Sequence, residues 1–316
     1  MLELLRRSLG PGPAGVRTAA FFRWKHLANP FGRSPIHVAV GEGGIVAVRA
    51  FLRWRFAAGT RRVRALRPVD TATAPQARGR GVFTRLTTHA LAAESGEFDL
   101  VFNTPNDVSL GGYLKLGWSL VGRVPIRVRP TRPIRFVRSR PWQRDDETSF
   151  AVAPAVVRAE RAADVVAQIP RHLIVSAPGD DVRLRTDRTS AYLEWRYADA
   201  PLGYHAVVDR TGATVVFRVR PRGRSLEATV AEVFVEPGDV GATRRLLRAV
   251  EDASSADHLS LAPAAGSTLQ RAIARTSVRA PGGITLVARP ADATAAPVDP
   301  LALSSWALEL GDLEVF

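Results

Sequence analysis

The sequence contains no cysteine, a single methionine and only two lysines among its 316 residues. Because there is no cysteine, disulfides, thiolate metal sites and a cysteine nucleophile are excluded. No run of about 18 apolar residues occurs, so no membrane-spanning helix is predicted. The N-terminal residues MLELLRRSLGPGPAG lack the apolar core and small-residue cleavage site of a secretory signal, and we therefore expect a cytoplasmic protein.

The sequence does contain enough apolar residues for two cores, together with a large excess of arginine. Its length fits about two domains of ~150 residues, and 46% of its residues are apolar. The 44 basic and 30 acidic side chains give a formal net charge of +14. A nucleic-acid-binding protein would concentrate its basic residues on one face or in a tail, but here the arginines are scattered from Arg6 to Arg289. The charge therefore disfavours nucleic acid as a partner and leaves a smaller polyanionic ligand or no charged ligand.

A diverged internal repeat organises the chain. The segments WKHLANPFG, from Trp24, and WRYADAPLG, from Trp195, place a base, a proline and a glycine at the same offsets after tryptophan. Each precedes a predicted β-hairpin, with alternating apolar strands around a glycine-containing turn. A further strand, an amphipathic helix, a short strand and a second helix follow in the same order in both halves. We therefore predict an α/β (α+β) fold of two similar units, each a mixed, mainly antiparallel sheet flanked by helices.

A proline- and arginine-rich segment, RPTRPIRFVRSRPWQRDDETS, separates the two repeats. It predicts a first domain over residues 1–130, a linker over 131–148 and a second domain with a C-terminal tail over 149–316. The tail ends in WALELGDLEVF, whose apolar rhythm is typical of an added strand.

The most distinctive local feature is the segment VDTATAPQARGRGVFTRL in the first half. A strand is predicted to end at Thr73 and to be broken by Pro75, and a helix is predicted to begin near Val82. Between them, glycines allow a tight turn and a close approach to a ligand, while the exposed amides of the first helical turn make an anion site suited to a pyrophosphate. Arg78 and Arg80 can add charge-assisted contacts to phosphate. An ordinary strand-to-helix turn is the alternative interpretation of this segment alone.

A second motif, VFNTPNDVSLGGYLKLGW, follows about 25 residues later. Together the two motifs resemble the GNAT superfamily of acyl-CoA-dependent N-acyltransferases, in which an R-x-x-G-x-G/A loop binds the coenzyme A pyrophosphate. Arg78 and Gly81 fill the first two positions of that loop, whereas Phe83 stands where Gly or Ala is usual. A register that begins at Gln76 also satisfies the pattern but fits the strand and helix boundaries less well.

The resemblance implies an acyl-CoA, in the first instance acetyl-CoA, as co-substrate, and no metal. It implies that Tyr113 is the general acid that protonates the departing thiolate. It also implies that the strand before the loop splays from its neighbour, so that its edge amides bind the pantetheine chain and stabilise the oxyanion. The cofactor contacts that it implies are Thr71, Ala72, Thr73, Arg78, Gly79, Arg80, Gly81, Val82 and Asn106.

The general base is indicated less sharply. Asp70 lies just before the cofactor-contacting positions, where the family often keeps an acidic residue or an ordered water, and is our candidate. A structural carboxylate is the alternative interpretation of Asp70. Three histidines, His26, His37 and His89, are further candidates, and no histidine or carboxylate grouping has metal-ligand spacing.

The second half keeps the scaffold and loses these residues. Asp239 brings a negative charge to the position that would face phosphate, and Arg271 stands where the first half has Tyr113. We therefore expect a degenerate second GNAT-like domain and a first domain that transfers an acetyl or other short acyl group to a primary amine in a ternary complex. The acceptor is not indicated by the sequence.

Two other functions stay open. Fem-type enzymes, which move aminoacyl groups from charged tRNA, also have tandem GNAT-like folds, and a charge of +14 would suit that donor. A non-catalytic acyl-CoA-binding protein is the other alternative. In addition, the family fold opens with a strand before the hairpin, and only about 20 residues precede Trp24. We expect that strand to be missing, or supplied by the second domain or the tail.

Overall fold

The computed structural model describes residues 1–10, 17–139, 157–174, 181–222, 224–292 and 296–314. Within these ranges, no helix is both long and apolar enough to cross a membrane. Much of the predicted linker, residues 140–148, lies outside the described ranges.

The elements of the first half follow the predicted order. The helices are α1 (Leu2–Leu9), α2 (Ala19–His26), α3 (Val82–Ala93), α4 (Asp107–Lys115) and α5 (Pro133–Ser139), with a 3-10 turn at Pro75–Ala77. The strands are β1 (Ile36–Gly41), β2 (Gly44–Ala58), β3 (Arg61–Thr73), β4 (Leu100–Asn103), β5 (Ser119–Val124) and β6 (Arg127–Pro130).

The second half repeats the series from hairpin to final strand. Its helices are α6 (Ala162–Val165), α7 (Arg171–Ile174), α8 (Ser190–Leu193), α9 (Val240–Ser254), α10 (Thr268–Ile273) and α11 (Leu310–Leu313), with 3-10 turns at Val166–Gln168 and Leu303–Ser305 and a π-helical turn at Glu194–Ala198. Its strands are β7 (Glu160–Arg161), β8 (Arg185–Thr186), β9 (His205–Val208), β10 (Thr214–Arg222), β11 (Ser225–Phe234), β12 (His258–Leu261), β13 (Val278–Arg279) and β14 (Ile284–Pro290).

The two sheets exchange one strand each. The first sheet has the order β1-β2-β3-β4-β14-β5, and the second has the order β13-β6-β12-β11-β10-β9-β7. Thus β14, from the end of the second half, lies antiparallel between β4 and β5, and β6, from the end of the first half, lies antiparallel between β12 and β13. Each sheet therefore contains one strand from the other side of the predicted domain boundary, because β6 precedes residue 131 and β14 follows residue 149.

The edge of the first sheet bears on the predicted absence of an opening strand, or its supply by the second half or the tail. No strand within the described residues pairs with the outer edge of β1. Further along β2, beyond the reach of β1, two residues of the second half pair with it, in the register Phe56–Thr186 and Ala57–Arg185. The second half thus contributes a short strand to this edge.

The largest hydrophobic core lies between the two sheets and contains residues of both halves, including Trp24, Trp54, Trp195 and Trp306. The C-terminal segment enters this core. The strand predicted for it is wrong: its Trp306 forms only an isolated bridge to Leu184, and the following residues turn into the helix α11. A capping box between Glu309 and Asp312 satisfies the first amides of that turn and explains the helix. Residues 315–316 lie outside the described ranges.

Candidate active site

Strands β3 and β4 separate early and leave one edge of β3 open. They pair in parallel only at Ala65–Leu100 and Leu66–Val101, so residues 67–73 face β4 without a ladder. On the other edge of β3, the register with β2 shifts between Val48–Ala72 and Ala50–Val69, which makes a bulge at residues 70–71. Such bulges bend a strand and redirect its side chains. Thr71, Ala72 and Thr73 lie on this splayed edge, and their contact with the cofactor stays a prediction.

The loop after β3 presents an open helix N-terminus. Gly79 and Gly81 have φ angles of 73° and 69°, which favour glycine, and an added Cβ at either would meet no atom within 4 Å. The 12-residue helix α3 begins at Val82, and no side chain caps it. Its first-turn amides therefore have no intrahelical acceptor and lie at the positive end of the helix dipole.

The two arginines of this loop are exposed. Arg78 donates from Nε to the carbonyl oxygen of Thr73 at 3.1 Å, which attaches the loop to the end of β3. Arg80 is also exposed, and its carbonyl oxygen accepts a long hydrogen bond from Arg85 at 3.5 Å. Both side chains are exposed in the loop that precedes α3, so they are free to reach an anion bound there.

The corresponding helix of the second half is closed. Asp239 caps α9, with its carboxylate accepting from the amide of Ala242 at 2.7 Å. A first-turn amide that could bind phosphate is thus occupied, and the carboxylate repels a second anion. Arg271, which replaces the tyrosine, donates to the carbonyl oxygen of Gly266 at 2.7 Å and is exposed.

In the second half, Glu309 occupies a backbone amide at the edge of β11, the strand that corresponds to β3. Its Oε2 atom accepts from the backbone amide of Val233 on β11 at 3.3 Å. A cavity of about 260 Å³ remains beside it, lined by Arg183, Arg185, Arg188 and Arg271 among others. Their positive charge is matched nearby by carboxylates, of which Asp181 pairs with both Arg183 and Arg185.

Tyr113 lies on α4 and is buried to 5% exposure. Its hydroxyl oxygen accepts from Nη1 of Arg49, 3.3 Å away, and its ring meets Trp118 edge-on. Phe83 also packs edge-on against the tyrosine, with ring centroids 6.3 Å apart. This explains the departure at position 83, because the phenyl ring points towards α4 and does not fill the anion site.

Asn106 is the N-cap of α4. Its Oδ1 atom accepts from the amide of Ser109 at 3.0 Å and from the hydroxyl of the same residue at 2.8 Å. The carboxamide is exposed, and its oxygen is committed to the cap. Contact between Asn106 and the cofactor stays a prediction that would have to use the NH2 group.

Asp70 is held by three cationic or hydrogen-bonding partners. Its oxygens lie 2.7 Å from Arg17, 2.9 Å from Lys25 and 2.8 Å from Nε2 of His26. Its φ angle of 45° is unusual for a residue other than glycine. Burial alone would raise the pKa of this carboxyl group, but Lys25 and His26 outweigh burial and hold that pKa well below its usual range. An ionised carboxylate with three donors accepts a proton poorly, so these contacts weigh against the predicted role of general base.

The other two histidine candidates lie together. His37 and His89 form an edge-on pair with ring centroids 5.5 Å apart, and burial lowers the pKa of His37. His37 is also the cross-strand neighbour of Arg49. No contact joins either imidazole to Tyr113 among the described residues.

Two buried arginines of the site are missing from the sequence-based prediction. Arg49 lies on β2 beside Tyr113. Arg67 lies on the splayed part of β3 and donates to Thr104 and to the carbonyl oxygens of Asp312 and Leu313. These bonds hold the C-terminal segment against the splayed part of β3. Burial lowers the pKa of Arg67 to about 9. In the sequence, each of these arginines is a charged residue inside an apolar strand pattern. A charged side chain is rarely buried without a partner, so this pattern was the signal that could have indicated them.

Comparison with known proteins gives a domain match and a shared fold. Residues 3–121 match the Acetyltransferase (GNAT) domain family. Among solved structures, a GCN5-related N-acetyltransferase from Kribbella flavida aligns with a TM-score of 0.55 and 17% identity, over 82% of this chain and 61% of that one. A GCN5-related N-acetyltransferase from Anabaena variabilis aligns with a TM-score of 0.59 and 13% identity, over 92% and 69%. A probable N-acyltransferase from Enterococcus faecalis aligns with a TM-score of 0.63 and 12% identity, over 93% and 69%.

These identities support the fold alone, and the chain spans 61% to 69% of the lengths of those structures. No curated protein matches the sequence. The predicted fold class, with two mainly antiparallel sheets flanked by helices, is confirmed. Residues 3–121 thus match a GNAT acetyltransferase domain, and the chain shares its fold with GCN5-related N-acetyltransferases.

Proposed function

We propose that the protein is an N-acetyltransferase that moves an acetyl or other short acyl group from acyl-CoA to a primary amine. The observation that carries this proposal is the contrast between two helices in equivalent positions. The N-terminus of α3 is uncapped and open, whereas that of α9 is capped by Asp239 and its neighbouring strand edge is occupied by Glu309. Of these two helices, α3 therefore offers an anion site beside a free strand edge, and α9 does not.

The residues of the first half fit coenzyme A. No described residue comes within 4 Å of a Cβ placed on Gly79 or Gly81, so a pyrophosphate can approach the amides of the loop and of α3, within reach of Arg78 and Arg80. The edge amides of residues 71–73 can hold the pantetheine chain and stabilise the oxyanion at the thioester carbonyl. Acyl-CoA, when bound, supplies a thioester carbonyl that an amine can attack.

Tyr113 then serves as the general acid. The amine attacks the carbonyl carbon directly, the carbon–nitrogen bond forms, and the carbon–sulfur bond breaks with its electron pair moving to sulfur. The phenol of Tyr113 gives its proton to that sulfur. The amine loses its own proton to Asp70 or to water, and the three donors on Asp70 favour water.

The experiment that tests this function measures release of free thiol from acetyl-CoA over a panel of amines: sugar amines, peptide N-termini, lysine, polyamines and antibiotic-like amines. We expect amine-dependent thiol release with at least one class. Binding of acetyl-CoA without thiol release would indicate a non-catalytic acyl-CoA-binding protein. Tight, salt-sensitive binding of charged tRNA without acetyl-CoA binding would favour the aminoacyl transferase instead.

A further inference from the structure

Arg49 is a buried cation in the predicted active site. It is 1% exposed and lies on β2, opposite the bulge of β3. Its Nη1 atom donates to Oγ1 of Thr71 at 2.6 Å and to the hydroxyl oxygen of Tyr113 at 3.3 Å. One guanidinium nitrogen thus joins the predicted acid on α4 to the strand that is predicted to hold the thioester.

No carboxylate in the described part of the chain balances this charge. Among those residues, no acidic oxygen lies within 4.0 Å of the guanidinium, and its Nε and Nη2 atoms have no hydrogen-bond partner. Two other arginines that are buried as deeply, Arg67 and Arg196, donate to backbone carbonyl oxygens. Burying a cation without a counter-ion is unfavourable, and burial accordingly lowers the pKa of Arg49.

Aromatic rings offset only part of that cost. The guanidinium carbon lies 4.9 Å from the ring centroid of Phe51, 5.0 Å from that of Phe83 and 5.4 Å from that of Tyr113. Each such contact attracts the cation to the face of a ring, but a ring carries no net charge to neutralise it. The rings also hold the guanidinium in place, so that the two contacts of Nη1 keep their geometry.

We propose that Arg49 is a positioning residue for acyl transfer, which fixes the hydroxyl of Tyr113 and stabilises the phenolate that remains once its proton has moved to the leaving sulfur. This inference rests on the proposed function. The balance of the step is complete: the phenol O–H bond breaks, the S–H bond forms, and the negative charge stays on the tyrosine oxygen until a proton released by the attacking amine restores the phenol. In the resting protein, Arg49 has no anionic partner among the described residues. This step creates one, the phenolate of Tyr113.

The titratable groups around Arg49 include two histidines and, acting on the first of them, Glu94. His37 is the cross-strand neighbour of Arg49 on β1, and His89 on α3 packs against His37. Because burial and the neighbouring His89 lower the pKa of His37, this imidazole is neutral in the alkaline range. Tyr113 is the ionisable side chain that the guanidinium touches directly.

The kinetic test combines Arg49→Met with Tyr113→Phe. Alone, Arg49→Met is expected to lower kcat by about ten-fold or more while the KM for acetyl-CoA stays within about three-fold. In the Tyr113→Phe background, the same change should alter kcat by less than about two-fold, because no phenolate forms. Arg49→Lys keeps the charge and should recover part of kcat. An equal loss from Arg49→Met in both backgrounds would show a purely structural role and overturn the proposal.

A spectroscopic test decides the inference even if the amine acceptor is never found. The chain has four tyrosines, and burial raises the pKa of Tyr192, Tyr197 and Tyr204, so an alkaline titration can follow the phenolate absorbance band of the fourth tyrosine apart from theirs. Tyr113→Phe identifies this band by its loss. We expect the band to develop at higher pH in Arg49→Met than in the wild-type protein.

An unchanged band in a folded Arg49→Met variant would overturn the inference while leaving the proposed acyl transfer intact. Conversely, a shifted band without thiol release would support the Arg49–Tyr113 coupling and contradict the proposed function. If Arg49→Met does not fold, as judged by its unfolding transition, Arg49→Gln gives the same comparison with a polar side chain of similar shape.

Discussion

Trp24 and Trp195 each donate an indole N–H to the other's backbone carbonyl oxygen, at 2.7 Å and 2.9 Å. Their rings are stacked, with centroids 5.2 Å apart and planes inclined by 19°. These two residues begin the repeated segments, so the contact is the same on both sides, as in an isologous interface between two subunits. With the exchange of β6 and β14, the pair makes the two halves one structural unit.

Removing either partner of this pair should cost stability. Trp24→Phe or Trp195→Phe loses one buried hydrogen bond and reduces packing, which predicts a loss of about 2–4 kcal/mol in the free energy of unfolding. The double variant should lose less than the sum, because the two changes affect one contact. Urea unfolding measures this, with Val108→Ala, at an exposed position, as the control.

The exchanged strands also predict one cooperative unfolding transition for both halves. Neither sheet is complete without a strand of the other half. Two separate transitions, followed by far-ultraviolet circular dichroism and tryptophan fluorescence, would contradict this description.

Tyr113→Phe should lower turnover by about ten-fold or more and leave the affinity for acetyl-CoA within about three-fold. The hydroxyl is predicted to act on the leaving sulfur and not in binding, and the ring keeps its contacts with Phe83 and Trp118. Leu114→Ala, at the next and more exposed position of α4, is the matched control. Unchanged turnover in Tyr113→Phe would remove this tyrosine as the acid.

Asp70→Asn should lower the free energy of unfolding at pH 7 by about 3–5 kcal/mol, because it leaves Lys25 and Arg17 without their buried counter-ion. The pKa of Asp70 is lower in the folded than in the unfolded protein, so its contribution is present above the ordinary value of 3.8 and decreases on acidification below it. The difference between wild type and variant should therefore shrink below about pH 4. Urea unfolding from pH 7 to pH 3 checks this, and a constant difference would contradict the ion cluster.

Gly311→Ala should destabilise the C-terminal segment. An added Cβ at this position would overlap the hydroxyl of Tyr197 and lie 3.0 Å from the carbonyl oxygen of Ala231, both in the core. The expected loss is about 1–3 kcal/mol in the free energy of unfolding. Gly43→Ala, whose Cβ would meet nothing within 4 Å, is the control that should change it little.

Much of this architecture follows from the sequence because local patterns determine it. The repeat from Trp24 and Trp195, both hairpins and the glycine turn before α3 depend on residues close together in the chain. The exchange of β6 and β14 could not be predicted, because a buried antiparallel strand has the same pattern in either sheet.

The side-chain clusters of the site were hidden for a similar reason. Asp70 meets Arg17, Lys25 and His26 across more than forty positions of sequence, and Arg49 meets Tyr113 across 64. In the sequence, nothing distinguishes these charged residues from the many others of an arginine-rich chain. The contacts arise from the bulge in β3 and the packing of α4 on β2, which no local spacing records.

Helix α3, and not α9, is proposed to bind the coenzyme A pyrophosphate, and the proposed activity depends on this difference. Calorimetric titration of acetyl-CoA into wild type, Gly81→Glu and Gly238→Glu tests it most directly, because both glycines have positive φ and precede an equivalent helix. We predict binding to the wild-type protein, loss of binding in Gly81→Glu and unchanged binding in Gly238→Glu. No binding to the wild type, or equal binding to all three proteins, would contradict the assignment of the pyrophosphate to α3.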